Sequence, residues 1–479
     1  MASITAGSAS NRSHHRRVLL TCSATVVCTQ MYLTAMNVAL PAIGEGLQAT
    51  NAQLQWSLNI YALVLASILM VSGALGDHFG RKRFMIIGML TFTFGNVLAA
   101  SAPSAMVLIA ARGFQGLGAS MLPVISLAVI NNVFTDPAER ARAIGVWNAL
   151  MSIGIALGPV LAGVLVSWID WRAVFWVPIP LLALTLGAII AFIPESSDRT
   201  GRRLDVPGQF FTAVMLAALT YDIISLGEGI FSQVEWVLLG VFVIAGIAFL
   251  IRELSARYPM LDLRYLRSVP FVGGLSVMQM SFMTYGGFLF VFVLYLQLDY
   301  GFTPFKAGLM MIPLAIANSV AAVVAGRLVA AVHVRAVLLA AAACNIAMGV
   351  AMLAVVQTGP FWLLLVAVAL MGLIQGFTNL PVTNSVLATM PEGQSGVASA
   401  ITSTARQIGI SLGIAVFGAF MNLGVKYGEP IHTAAHPAWW ISIALGIISA
   451  IFAVATTSKW ARRSAARVRN RIKDDDSRG

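Results

Sequence analysis

Charge is what this chain has least of. Only 10% of its 479 residues are Asp, Glu, Lys or Arg, against about 25% in a soluble domain, while 58% are hydrophobic. So few charges cannot cover the surface of a water-soluble protein, which excludes an ordinary soluble enzyme and a disordered or collagen-like chain. Cysteine is nearly missing as well. Cys22, Cys28 and Cys344 all fall in apolar runs, which excludes a disulfide-stapled module and a thiolate metal cluster. The histidines (His14, His15, His78, His333, His432, His436) follow no metal-ligand spacing. No Ser/His/Asp set or phosphate-cradling glycine loop is present, so no catalysis, metal or cofactor is expected.

What is abundant is apolar sequence in long runs. About 20 apolar residues span a bilayer as a helix, and runs of that kind occur over 18–40, 54–76, 84–101, 105–132, 141–166, 172–193, 207–227, 235–252, 270–297, 305–328, 335–356, 361–388, 396–422 and 438–458. The first run lacks a small-residue cleavage site and leads straight into the next, so it is expected to be a span and not a removed leader. Basic residues test the threading. One set of alternate connections holds only Arg172, Lys306 and Lys426. The other set, with the two ends of the chain, holds twenty-five, including Arg81, Lys82, Arg83, Arg140 and Arg142, the three at Arg199, Arg202 and Arg203, and Arg257. Cytoplasmic loops collect Lys and Arg, so an all-α protein with fourteen transmembrane helices and both termini cytoplasmic is expected. This placement also accounts for the net charge of +11 without a nucleic-acid partner. The basic stretch from Arg462 to Arg471 is either a solvated tail or a contact with anionic lipid.

The fourth and fifth spans are echoed by the twelfth and thirteenth. Gln115-Gly116, Pro123, Pro137 and Gly145-Val146 correspond to Gln375-Gly376, Pro381, Pro391 and Gly396-Val397. A weaker echo relates Gly73–Arg83 to Gly326–Arg335. Both are displaced by eight spans, as expected for two six-helix bundles (18–200 and 263–458) separated by an additional pair (201–262), with tails at 1–17 and 459–479. Parallel six-helix halves are the build of one transporter class, with substrate bound between them near the midplane.

Four motifs carry a family resemblance. The first is Gly73-xx-Gly76-Asp77-xx-Gly80-Arg81-Lys82-Arg83 after the second span. The second is Arg112-xx-Gln115-Gly116-x-Gly118 on the fourth. The third is Gly154-xxx-Gly158-Pro159-xxx-Gly163 on the fifth, and the fourth places Arg406, Gln407, Gly409 and Gly413 on the thirteenth. With these the chain, from about Val18 to Ser458, resembles the fourteen-helix drug:proton antiporter branch of the major facilitator superfamily. The resemblance implies a secondary exporter of amphipathic drugs or antibiotics in the cell membrane, working as a monomer and exchanging substrate for protons. It implies a latch made by Asp77 and Arg81, with Asp77 near a neighbouring helix N-terminus. It implies a coupling role for Arg112, and an antiporter signature in Gly154, Gly158 and Pro159. From the residues alone, Arg112 is either functional or a lock between helices, and glycines four apart mark close helix crossing. An importer or uniporter of a small metabolite, or a membrane sensor without flux, are the alternatives.

One position departs from the branch. Its members carry an aspartate five residues before the asparagine of Asn37-Val-Ala-Leu-Pro41, and here that residue is Tyr32. A phenol with an ordinary pKa near 10 is neither a proton carrier nor a counter-charge at neutral pH. The acid deep within a span is Asp222, a proton site or a group hydrogen-bonded near the outer surface, and Asp77 is the alternative. Candidate substrate contacts are Tyr32, Asn37, Asn59, Gln115, Asn148, Gln279, Tyr285, Asn379, Asn384, Arg406 and Gln407, with Met278 and Phe282 as apolar contacts. Two embedded arginines facing no first-span acid favour a neutral or anionic substrate.

Overall fold

A computed structural model describes residues 2–196, 205–229, 232–256, 262–331, 334–358, 360–390 and 395–476. Arg199, Arg202, Arg203, Arg257, His333 and Pro391 lie outside the described residues. In hydrocarbon every backbone N–H and C=O must be satisfied within the protein, and apolar runs of this length therefore become helices. The helices are α1 (Ala2–Leu47), α2 (Asn51–Phe79), α3 (Arg81–Ala100), α4 (Ala105–Val133), α5 (Pro137–Trp168), α6 (Ala173–Trp176), α7 (Ile179–Phe192), α8 (Val206–Gly227), α9 (Gln233–Ser255), α10 (Val269–Leu294), α11 (Pro304–Leu309), α12 (Ile312–Ala330), α13 (Val334–Thr358), α14 (Trp362–Leu387), α15 (Ser395–Lys426), α16 (Ile431–Ala434), α17 (His436–Thr456) and α18 (Lys459–Asp476). Fourteen segments among the described residues are long and apolar enough to cross a membrane. Three of them are interrupted beside a proline: α6–α7 at Pro178, α11–α12 at Pro313 and α16–α17 at Pro437.

The starts of several helices are written locally. Thr50 and Gln53 form a reciprocal capping box on α2, and Asp136 accepts from the Glu139 N–H with Pro137 in the first turn of α5. The first apolar run, 18–40, lies in a helix that continues past Pro41 to Leu47, because one proline removes a single backbone bond and a long helix survives that loss. The basic segment after the last span, expected as a tail, is helical as α18.

The chain forms two compact units: residues 1–204 with 303–309, and 205–302 with 310–479. In the first, α1 packs on α5, α2 on α4, and α3 on both α4 and α7. In the second, α10 packs on α15, α12 on α14, and α13 on both α14 and α17. The same neighbours recur eight spans later, as the sequence echo requires. The extra pair, α8 and α9, belongs to the second unit, where α8 packs on α15 and a Cβ on Gly227 would strike Ala419. Within α9 only Ala245 and Glu253 are buried, and most of its apolar side chains face outward to lipid.

Lipid-exposed helices gain nothing by hiding leucine from leucine-like tails, so contacts are made by small residues that bring backbones together. A Cβ on Gly116 would lie 2.7 Å from the Tyr61 carbonyl on α2, and one on Gly118 would lie 2.6 Å from the Phe92 nitrogen on α3. In the second unit, Gly376 meets the Asn318 carbonyl of α12 at 2.6 Å in the same sense. Overpacking of this kind costs about 1–3 kcal/mol. Gly118→Ala is therefore expected to lower the melting temperature of the detergent-purified protein by several degrees. Gly145→Ala, which would meet nothing within 4 Å, should leave it unchanged. Equal melting by tryptophan fluorescence would refute this account of the α3–α4 contact.

Candidate functional site

Arg112 sits on α4 with 0% exposure, and neutral groups surround it. Its Nε donates to the Ser57 carbonyl on α2 at 3.1 Å and its Nη1 to Gln115 Oε1 at 2.6 Å. Gln115 passes the interaction on, donating from Nε2 to Asn96 Oδ1 at 3.0 Å, and Asn96 Nδ2 ends the chain on the Phe92 carbonyl at 2.8 Å. The guanidinium lies 4.4 Å over the Tyr61 ring, a favourable placement for a desolvated cation. Among the described residues Nη2 has no partner, and no carboxylate pairs with the group. A full positive charge is thus held inside the first unit by dipoles and a π face alone. That arrangement ties α2, α3 and α4 together and leaves unused capacity for negative charge.

Tyr32, where the branch carries its acid, is buried at 1% exposure. Its ring stands edge-on to Phe92, with centroids 5.3 Å apart, and its hydroxyl reaches the Phe175 carbonyl at 3.4 Å. Gln115 and Tyr32 therefore belong to the packed interior around Arg112. Asn37 is buried too, with a long contact of 3.5 Å from Nδ2 to the Leu33 carbonyl and an Oδ1 without a partner. Gln55 and Asn59, one helical turn apart on α2, are fully buried, and neither amide has any hydrogen-bond partner among the described residues. Buried amides are nearly always satisfied, so these three mark polar capacity left open for another group. Asn148 is exposed on α5.

The antiporter-like signature defines the α1–α5 contact. A Cβ on Gly154 would come 2.8 Å from the Val27 carbonyl, and one on Gly158 would collide with Thr34 and the Met31 carbonyl. Pro159 has no N–H and leaves the Ile155 carbonyl, four residues back, without its helical donor. The Thr34 hydroxyl of α1 lies 3.1 Å from that oxygen and can donate to it, while also lying 3.3 Å from two carbonyls of its own helix. The proline thus converts one intrahelical bond into an interhelical one. Gly409 and Gly413 do the corresponding packing on α15, against the Gln279 and Met283 carbonyls of α10.

Asp77 pairs with Arg81 one turn on, Nη2 to Oδ1 at 2.8 Å and Nε to Oδ1 at 2.9 Å. That partner is the first residue of α3, so the carboxylate is tied to a side chain at this helix's N-terminus. Arg81 also reaches the Ala128 carbonyl at 3.5 Å, and its backbone N–H donates to the Ser196 carbonyl at 2.9 Å. Gly80 between them has φ of +106°, and a Cβ there would strike the Glu195 carboxylate at 2.6 Å, so only glycine suits the turn.

In the second unit Arg406 is half-buried on α15, hydrogen-bonded to Ser403 Oγ at 3.2 Å and 5.7 Å over the Phe282 ring. Phe282 stacks edge-on with Tyr285, with centroids 6.0 Å apart. Gln279 is partly exposed, Gln407 has an unpartnered Oε1, and Asn379 is committed to the Gln375 carbonyl at 3.2 Å. Asp222 on α8 is 8% exposed and both its oxygens lack a hydrogen-bond partner among the described residues. Sequence reasoning missed Thr34, Gln55, Ser57, Tyr61 and Asn96. The polar pair Gln55 and Asn59 at helical spacing, and Asn96 alone in an apolar span, were the available signals.

The chain belongs to the Major Facilitator Superfamily, whose family model matches residues 20–414. It is 34% identical over 416 residues to the multidrug resistance protein Stp of Mycobacterium tuberculosis, covering 85% of this chain and 76% of that protein. It is 31% identical over 406 residues to the methylenomycin A resistance protein of Streptomyces coelicolor, covering 83% of each. The crystal structure of a peptide transporter POT in complex with sulfate matches with a TM-score of 0.68 at 15% identity, over 92% of this chain and 95% of that one, and shows the shared fold. Fourteen apolar helices and this membership make the chain a multi-pass protein of the cell membrane.

Leaving a buried carbonyl without its donor costs about 1–3 kcal/mol. Thr34→Val is accordingly expected to lower the melting temperature by several degrees. In a Pro159→Ala background, where residue 159 regains its N–H for Ile155, the same change should cost little. A double-mutant cycle with no coupling would remove the assigned role of Thr34.

Proposed function

We propose that this chain is a secondary active exporter of an amphipathic, drug-like small molecule, driven by proton antiport and alternating access of its two bundles, working as a monomer with both termini in the cytoplasm. The observation that carries the reading is the α1–α5 contact, where Gly154, Gly158 and Pro159 press the two backbones together. The names of the relatives, multidrug resistance protein and methylenomycin A resistance protein, agree with export. The Asp77–Arg81 pair at the α2–α3 turn serves as the latch.

The substrate is assigned as neutral or anionic. Arg112 and Arg406 have only uncharged hydrogen-bond partners, and Tyr32 supplies no negative charge. A cationic drug would meet embedded positive charge with no acid to offset it. Within the first unit Asn37 and Asn59 are assigned as polar contacts of an amphipathic ligand, and within the second unit Gln279, Asn379 and Tyr285 are assigned as polar and aromatic ones. Asp222 is the proposed proton carrier, because taking up a proton removes a charge that no donor compensates.

In cells expressing the protein, acidic or neutral members of a matched drug series should be exported in preference to their quaternary ammonium counterparts. Selective resistance to the quaternary compounds would overturn the charge assignment, and efflux that persists unchanged with an uncoupler would overturn proton drive. In everted vesicles, Asp222→Asn should reduce proton-driven transport by about tenfold or more while leaving substrate counterflow intact. Loss of both together would make Asp222 a structural residue.

A further inference from the structure

Outside the transport machinery, α18 presents an arrangement that the transport function does not use. Ala461, Ser464, Ala465, Val468 and Ile472 recur at helical spacing and are buried against the second unit, where α18 meets α10, α17 and the turn Leu263–Arg267. The basic residues fall to either side of that stripe. Trp460, Arg463, Arg467 and Arg471 follow one flank at intervals of three or four. Arg462 and Arg469, seven apart, follow the other.

The flank carrying Arg462 and Arg469 closes a cavity of about 470 Å³ against the ends of α13, α14 and α17. Its polar lining is Arg335, Arg462, Arg469, Asn384, Ser385, Thr456 and Thr457, with no carboxylate among the described residues. None of the three arginines makes an ion pair or a side-chain hydrogen bond among the described residues. The cleft on the opposite flank differs. There Arg264 is already paired with Asp262 at 2.7 Å, which leaves that side partly neutralised. Three guanidinium groups without side-chain partners among the described residues, the Asn384 amide and the unpartnered Thr456 hydroxyl form a donor set suited to a tetrahedral oxyanion, since Arg forks match phosphate oxygens in pairs. Ser385 and Thr457 donate instead to the Pro381 and Ala453 carbonyls.

The position of the cleft says where such an oxyanion comes from. α18 follows the last span after Thr457 and Ser458, so it lies at the level where that span leaves the hydrocarbon. Trp460, 62% exposed beside the basic flank, is the residue type that settles at the headgroup level. We propose that the cleft of Arg335, Arg462 and Arg469 binds the phosphate of an anionic phospholipid headgroup, and that α18 holds the second unit to the lipid surface through it. This assignment does not depend on the direction of transport or on the substrate.

The test uses the full-length protein in a neutral detergent, with phosphatidylglycerol, phosphatidylcholine or inorganic phosphate added separately and binding read by thermal shift and native mass spectrometry. Phosphatidylglycerol should bind and raise the melting temperature, and phosphatidylcholine should do so much more weakly. Each arginine at a lipid surface contributes roughly fivefold to affinity, so Arg335→Gln with Arg469→Gln should weaken phosphatidylglycerol binding by about 25-fold. Arg142→Gln, an exposed arginine of the first unit, should leave it unchanged. If the double variant does not fold, the single variants report the same loss at roughly fivefold each. Unaltered binding in these variants, or equal binding of the two lipids, would overturn the site. An equal shift with inorganic phosphate at matched concentration would overturn the lipid assignment and leave a soluble-phosphate site.

Discussion

The whole structure rests on one constraint: in hydrocarbon, helices adhere only as closely as their backbones allow. Burial of a leucine against a neighbouring helix replaces one apolar contact with another, so the energy comes from dispersion and polar contacts at short range. Gly116 and Gly118 on α4, Gly154 and Gly158 on α5, and Gly409 and Gly413 on α15 each bring a carbonyl or amide of the next helix to a distance that excludes a methyl group. The same neighbour pairs occur in both units, so one packing solution is used twice. At α1–α5 the close approach also lets Thr34 reach the carbonyl that Pro159 leaves unpaired, and steric fit and hydrogen bonding act together there.

Close packing makes an enclosed cation possible. Arg112 could not stay charged among apolar side chains. It is held by the Ser57 carbonyl, by Gln115 with Asn96 behind it, and by the Tyr61 ring. Ser57 and Tyr61 on α2 and Asn96 on α3 come from helices that Gly116 and Gly118 draw in, and Gln115 comes from α4 itself. The partners are all neutral, and the first-helix position that supplies an acid elsewhere in the branch is Tyr32. The excess positive charge is therefore a property of the first unit's interior, and it underlies the reading of substrate charge.

Much of this architecture was legible in the sequence, for a physical reason. A chain in lipid can satisfy its backbone only as helix, so run length and the distribution of Lys and Arg suffice to number the spans, and Thr50, Asp136 and Pro137 announce where helices begin. The repeat was visible in Gln115-Gly116 and Gln375-Gly376. The partners of Arg112 were not, since Ser57, Tyr61 and Asn96 lie on two other helices and only packing brings them together. The role of Thr34 was hidden for the same reason. α18 escaped notice because its buried stripe consists mostly of alanine and serine, and seven arginines and lysines around it obscure the period. α1 runs past Pro41, beyond the apolar stretch 18–40, because run length marks the crossing of hydrocarbon and not the end of the helix.

The contact between Gly227 and Ala419 fixes α8 to α15 without room for a side chain, while α9, packed on α8 in a hairpin, exposes most of its apolar side chains. Any displacement of α15 along the bilayer normal must carry that hairpin and its annulus of acyl chains with it. Hydrophobic mismatch costs fractions of a kcal/mol per Å and accumulates over each lipid-facing helix. For any such displacement, the match between membrane thickness and the hairpin's apolar length enters the energy through α8 and α9.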